Sequence, residues 1–202
     1  MIAAARKREV AILIFDDVEV LDFCGPFEVF SVTGALEPPP PFAVYTVAET
    51  RQPVTARNGL SVNPRHTLED GPTPDILLIP GGLGTRREMH NRALTDWIAR
   101  RAEKAELVLS VCTGALLLAQ AGLLDGLEAT THHGAVDLLR ETAPRTRISP
   151  EKRFIDNGKV IVSAGISAGI DMSLYVVARL LGENEALKTA RYMEYDRRGK
   201  SF

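Results

Sequence analysis

The sequence predicts an α/β fold, a mostly parallel β-sheet covered by helices on both faces. Three observations carry this expectation. Short apolar or β-branched runs recur at 10–15, 42–47, Ile76–Ile79, Leu107–Val111 and Val160–Ser163, next to Gly, Pro or Asp. Helical periodicity, not strand alternation, fills the stretches between them. At 202 residues and 45% hydrophobic content, the chain is long enough to bury one full core. A single domain over 1–202 is expected, with 1–8 as a flexible tail.

In chain order, the first strand, 10–15, leads into an acid-rich connection containing Asp16, Asp17, Glu19 and Asp22. A helix over 26–34 follows, with Pro26 suited to its first turn. Pro38-Pro39-Pro40-Pro41 then acts as a stiff loop into strand 42–47, because the elements on both sides belong to one alternating series. Ile76–Ile79 runs into Pro80-Gly81-Gly82-Leu83-Gly84. Leu94, Trp97, Ile98, Ala102 and Ala105 share one helical face, opposite Arg100, Arg101, Glu103 and Lys104. After strand Leu107–Val111, helix formers occupy 115–121, and a further short strand is expected at 128–131. Asn157-Gly158 marks the turn of a hairpin leading into Val160–Ser163. Ile170, Leu174, Val177 and Leu181 line a helix that Gly182 caps, and a last helix covers 183–198.

Composition excludes several function classes. A formal charge of −2 offers no field for nucleic acid, and the basic clusters Arg6-Lys7-Arg8 and Arg197-Arg198-Gly199-Lys200 are terminal and solvated. Two cysteines without metal spacing or a disulfide framework point to a reducing compartment, with cytoplasm as the default. The apolar run before Asp16-Asp17 is too short for a signal-peptide core. Leu107 to Leu124 contains no charge over 18 residues, but Ser110, Thr113, Gly114, Gln120 and Gly122 interrupt it, and its propensities divide it into strand and helix. No membrane partner and no nucleic-acid partner are expected.

Chemistry is expected where strands end, at the carboxyl rim of the sheet. Cys112 sits in Ser110-Val111-Cys112-Thr113-Gly114, where strand changes directly into helix. Such a turn resembles a nucleophile elbow, which lifts the intervening side chain out of the sheet. The helix N-terminus favours a thiolate and lowers a cysteine pKa from about 8.5 toward ~4–7, so an exposed, activated thiol is expected. The competing reading is a small buried apolar residue. Asp22, between Leu21 and Phe23, has an apolar setting that raises a carboxyl pKa and fits it for proton exchange; a helix cap is its alternative. For Asp16, Asp17 and Glu19 the solvated or capping role is preferred. Gly81-Gly82-Leu83-Gly84 lacks the spacing of a dinucleotide fingerprint and reads either as an oxyanion hole shared with the Thr113 N–H or as an ordinary tight turn. His132 is placed to orient or polarise the thiol, or is satisfied by neighbours. Adjacent His132 and His133 do not share a face and no third ligand presents itself, so no metal site is expected.

These residues, together with Leu21-Asp22-Phe23-Cys24-Gly25-Pro26, Ala121-Gly122-Leu123-Leu124-Asp125-Gly126, Ala129-Thr130-Thr131-His132 and Gly165-Ile166-Ser167-Ala168-Gly169-Ile170-Asp171, resemble the DJ-1/PfpI superfamily across nearly the whole chain. The resemblance implies a flavodoxin-like three-layer sandwich of the class I glutamine amidotransferase type, forming a homodimer. It implies Cys112 as nucleophile, Asp22 as partner acid, and Gly82, Thr113, His132 and Ile166 around the oxyanion and substrate. Asp22 with Cys112-Thr113 looks most like the isocyanide hydratase branch, which needs no cofactor and acts on a small electrophile. His133 stands where such proteins commonly carry Trp, Cys24 where they carry Thr, and the chain ends at Phe202 without their longer C-terminal segment.

Two rival readings use the same thiol. Similar Cys-Thr-Gly and Thr-Thr-His segments occur in the amino-terminal domains of AraC-type regulators, which append a helix-turn-helix domain that this sequence does not contain. A ligand sensor, or a redox sensor acting through Cys112, follows from that similarity. A glyoxalase or deglycase-like activity on reactive carbonyls is the other; an Asp in place of a longer Glu counts against it.

Overall fold

The computed structural model describes residues 6–35 and 39–196. The strands are β1 (Arg8–Leu13), β2 (Phe42–Ala48), β3 (Val54–Thr55), β4 (Ser61–Val62), β5 (His66–Thr67), β6 (Ile76–Ile79), β7 (Leu107–Val111), β8 (Glu128–Ala129), β9 (Arg147–Ile148), β10 (Phe154–Asp156) and β11 (Val160–Ser163). The helices are α1 (Val20–Val32), α2 (Thr85–Glu88), α3 (Arg92–Lys104), α4 (Gly114–Gln120), α5 (Val136–Thr142), α6 (Ala168–Leu181) and α7 (Glu183–Tyr192). Seven strands form one sheet in the order β10-β11-β7-β6-β1-β2-β5, parallel except for β10. Helices α1, α6 and α7 pack together on one face, while α2, α3 and α5 gather around α4 on the other. This is the flavodoxin-like α/β sandwich that the sequence predicts.

The central strands are legible because both faces are covered. Every residue of β6, β7 and β11 is buried, and apart from Ser110 and Ser163 these strands are apolar runs without alternation. From β1 the chain crosses to β2 on one side and returns to β6 on the other, which opens a crevice at the carboxyl ends of β1 and β6. The loops 14–19 and 80–84 meet there, joined by a bridge between Val18 and Gly82.

Four local expectations are corrected. Helix α1 begins at Val20, not near Pro26, so Pro26 lies inside it and Asp22 belongs to its first turn. The start is set by a tertiary bond from the Glu19 N–H to the Gly81 carbonyl at 2.9 Å, and the Asp22 N–H closes the first turn onto the Glu19 carbonyl at 3.2 Å. The strand expected at 128–131 shrinks to β8, which leaves the main sheet and pairs with β9. Asn157 fixes it there, accepting from the Glu128 N–H at 3.1 Å and donating to the Glu128 carbonyl at 2.9 Å. The hairpin between β10 and β11 turns at Gly158-Lys159, because Asn157 N–H bonds the Val160 carbonyl and only Gly158 of the Asn-Gly pair has positive φ, at 89°. Helix α7 ends at Tyr192, shorter than 183–198. The residues of the N-terminal tail up to 5, the start of the proline loop and the cluster at 197–200 lie outside the described residues.

Candidate active site

Cys112 occupies the turn between β7 and α4 and has a positive φ of 57°, a region that costs any residue with a Cβ. Ladder pairing and a side-chain bond hold the turn there. The Cys112 N–H donates to the Ser163 and Ala164 carbonyls, and the Thr131 hydroxyl donates to the Cys112 carbonyl at 2.8 Å. Gly114 opens α4 under severe steric constraint, since a Cβ at this position would lie 2.1 Å from the Ile79 carbonyl oxygen. The elbow is therefore real. Its thiol is nonetheless not exposed: Cys112 keeps 5% of its surface.

Asp22 faces the elbow from the first turn of α1 and is fully buried. Its Oδ2 accepts the Gly81 N–H at 3.0 Å. The Cys112 thiol and the Ile166 N–H also act on the carboxyl, while Oδ1 completes no hydrogen bond of good geometry. Burial pushes the Asp22 carboxyl up to about 7. Burial likewise pushes the Cys112 thiol up to about 12, with the Asp22 carboxylate as the second cause and the N–H groups of Thr113 and Ile166 opposing both. The expected low-pKa thiolate is thus corrected. A short helix terminus does not outweigh desolvation plus a neighbouring acid, so the free protein holds a thiol beside a carboxyl near its midpoint.

The glycine loop supports this pair in a different way from an open oxyanion hole. The Gly82 N–H is consumed by Thr113 Oγ1 at 2.9 Å, and the Thr113 hydroxyl lies 3.1 Å from the Gly82 carbonyl, which accepts from it. Gly82 has φ of 134° and a Cβ would fall 2.3 Å from the Asp17 carbonyl oxygen, so this position demands glycine. A Cβ on Gly81 would lie 2.5 Å from Thr113 N and 2.8 Å from Asp22 Oδ2. The two glycines let the backbone slide between elbow and acid. The donors that face the sulfur are the N–H groups of Thr113 and Ile166. Ile166 is a β-branched residue with φ of 52°, and that conformation aims its amide at the pair.

His132 lines the same cavity but does not polarise the thiol. Its Nδ1 accepts the Gly134 N–H at 3.1 Å, and burial followed by the neighbouring His133 lowers its pKa, which favours the neutral ring. The cavity measures about 210 Å³ and is lined by Gly82, Cys112, Thr113, His132 and Ile166, all the rim residues expected except the fully covered Asp22. Glu19, Arg57 and Arg86 also line it. Of the other acids, Asp16 Oδ1 caps the Thr55 N–H at 2.8 Å and Asp17 pairs with Arg87 at 3.7 Å. Sequence reasoning missed four participants: Gly81 as the donor to Asp22, Thr131 as the clasp on the elbow, and Arg57 and Arg86, delivered to the cavity by the short β3–β4 hairpin and by α2. Gly81 and Thr131 left signals, in the glycine loop and in the Thr-Thr-His segment. Among the described residues, no group of three or more His, Cys, Asp or Glu is arranged to hold a metal ion. No helix among them is long and apolar enough to cross a membrane.

Comparison with known proteins agrees with this geometry. The chain is 37% identical over 188 residues to isonitrile hydratase of Pseudomonas putida, covering 93% of this chain and 78% of that protein. It is 36% identical over 138 residues to the HTH-type transcriptional regulator CdhR of Pseudomonas aeruginosa, covering 68% of this chain and 40% of the regulator. A crystal structure of a ThiJ/PfpI family protein from Pseudomonas syringae superposes with a TM-score of 0.86 at 30% identity, covering 96% of this chain and 78% of that one. Drosophila melanogaster DJ-1beta shares the fold, with a TM-score of 0.80 at 16% identity, 95% of this chain and all of that one being covered. The DJ-1/PfpI family model matches residues 8–179, a span that runs from β1 through most of α6 and takes in the elbow, the buried acid and the glycine loop. With the family match, the relatives and the rim geometry in agreement, the chain belongs to the DJ-1/PfpI family.

Proposed function

We propose that the protein hydrates an isocyanide to an N-substituted formamide through a covalent thioimidate on Cys112. The observation that carries this reading is the buried pairing of Cys112 with Asp22, a nucleophile with a proton acceptor near its midpoint at neutral pH. The similarity to isonitrile hydratase supports it.

The protons and bonds balance with these groups alone. As the Cys112 sulfur bonds to the terminal carbon of R–N≡C, the thiol proton passes to the Asp22 carboxylate and from there to that carbon, giving Cys112–S–CH=N–R. Water then adds to the same carbon: its hydroxyl bonds to carbon, and its proton travels through Asp22 to nitrogen. The C–S bond breaks, the hydroxyl proton returns to sulfur, and R–NH–CHO leaves. Asp22 gives back each proton it takes, so no cofactor enters. The N–H groups of Thr113 and Ile166 stabilise negative charge on sulfur while the proton is on Asp22.

A sensor role is the second reading, and the similarity to a transcriptional regulator favours it. The two separate in one experiment: an isocyanide is incubated with wild type and with Cys112→Ala at equal concentration, and formamide is followed by absorbance and mass spectrometry. Many turnovers, lost in the alanine variant, are expected. Stoichiometric modification of Cys112 without turnover overturns the hydratase.

A further inference from the structure

We infer that the substrate of this site is a small electrophile carrying a carboxylate, held by Arg57 and Arg86 beside Cys112. The inference deepens the hydratase reading and, for the isocyanide form of the substrate, rests on it.

Both arginines line the cavity that contains Cys112. Neither side chain makes a hydrogen bond or ion pair with any of the described residues, whereas Arg87, next in sequence, is bound to Glu88 and to the Asp16 carbonyl. Arg57 is half-buried and Arg86 exposed, and neither has a fixed counter-charge among the described residues. Cations of this kind lining a concave site favour an anionic ligand there.

The backbone that carries Arg57 is fixed. Its N–H donates to the Val18 carbonyl at 2.9 Å, the Ala56 N–H closes the hairpin onto Leu60 at 2.8 Å, and Thr55 is tied on both sides to Asp16 and Asp17. Thr55 and Arg57 are thereby anchored to the same loop that leads to Asp22. Arg86 sits in α2, directly after the glycine loop. Two forked donors brought to one cavity by separate elements suit the recognition of a carboxylate. Glu19 lines the cavity too and opposes part of this charge, but it forms no ion pair with either arginine among the described residues. At about 210 Å³ the cavity is smaller than the roughly 300–1,000 Å³ typical of sites for drug-sized ligands, which favours a compact molecule.

Two measurements test this on the intact protein. In the first, kcat/KM for isocyanoacetate is divided by that for its methyl ester, in wild type, in the double variant Arg57→Gln/Arg86→Gln, and in Glu19→Gln. The ratio is expected to fall about tenfold in the double variant and to rise in Glu19→Gln; an unchanged ratio in the double variant overturns the inference. The second needs no turnover: the rate of Cys112 alkylation by iodoacetate is divided by the rate with iodoacetamide. That ratio is expected to exceed the ratio for a cysteine peptide and to drop in the double variant and with added salt. If no isocyanide is hydrated yet alkylation stays charge-selective, the hydratase reading fails and the anion preference stands. If alkylation shows no preference that the arginines control, the anion preference fails whatever the turnover.

Discussion

Thr113 and Gly82 are locked together across the rim: the Gly82 N–H donates to Thr113 Oγ1 at 2.9 Å, and the Thr113 hydroxyl donates to the Gly82 carbonyl at 3.1 Å. The pair is buried, so neither backbone group has water as a substitute. Thr113→Val keeps the shape and removes the hydroxyl, leaving the Gly82 N–H without an acceptor. A loss of roughly 1–3 kcal/mol is expected by urea unfolding. Thr113→Ser, which retains the oxygen, should lose much less; equal losses from Val and Ser would assign the effect to the methyl group.

Asp22 makes stability depend on pH in an unusual direction. Its carboxyl titrates at about 7 in the folded protein, against an ordinary value of 3.8 in the unfolded chain. Below both values it is neutral in both states and imposes no penalty. Between about 4 and 7 the unfolded chain ionises first, so folding stability falls as pH rises, and the loss levels off above the folded pKa at a few kcal/mol in total. Asp22→Asn removes this slope. The variant should therefore gain on wild type between pH 4 and 8, measured by urea midpoints across that range, and a pH-independent difference would contradict the assignment.

The same titration governs the nucleophile. Ionised Asp22 accepts the thiol proton, so the rate of Cys112 alkylation by iodoacetamide should rise with pH through an inflection near 7 that belongs to the pair. In Asp22→Asn the inflection near 7 should vanish and alkylation should climb only at alkaline pH, because burial is the first cause of the raised thiol value. Turnover should drop by 100-fold or more, on the order of what a general base contributes. Rapid wild-type alkylation that stays level down to pH 5 would instead reveal a preformed thiolate.

Legibility in the sequence followed burial. Strands β6, β7 and β11 are covered on both faces, so their composition announced them, and the abrupt change at Cys112 from strand to helix marked the elbow. Pro26 misled because its missing N–H is most easily accommodated in a first turn, whereas the start of α1 is fixed by a bond from Glu19 to the remote Gly81. The environment of Asp22 was legible in direction only. Its apolar neighbour Leu21 is 38% exposed, and the burial comes from Gly81, Cys112 and Ile166, which adjoin it only through the fold. For the same reason the loss of the Gly82 N–H to Thr113 was invisible: the two residues are 31 positions apart.

The strain at Cys112 yields a sign test that packing alone does not predict. With φ of 57°, Cys112 occupies the left-handed region, where a Cβ costs roughly 1–2 kcal/mol and glycine is free of that cost. At an ordinary position, replacing Ala by Gly destabilises by about 0.5–1 kcal/mol, because the unfolded chain gains freedom. At this turn the relief of strain is larger than the entropy lost, so Cys112→Gly should be more stable than Cys112→Ala by up to about 1 kcal/mol. Both variants lack the sulfur, so the thiol and its influence on Asp22 cancel in the comparison. Urea unfolding of the two at one pH decides it. If Ala proves the more stable by the ordinary margin of about 0.5–1 kcal/mol or more, the elbow bears no conformational strain at this residue, and the bonds to Ser163, Ala164 and Thr131 are satisfying the backbone without forcing it. If Gly does, those bonds hold the nucleophile in a conformation its own side chain opposes, as expected where geometry at a reacting atom is imposed by the surrounding fold.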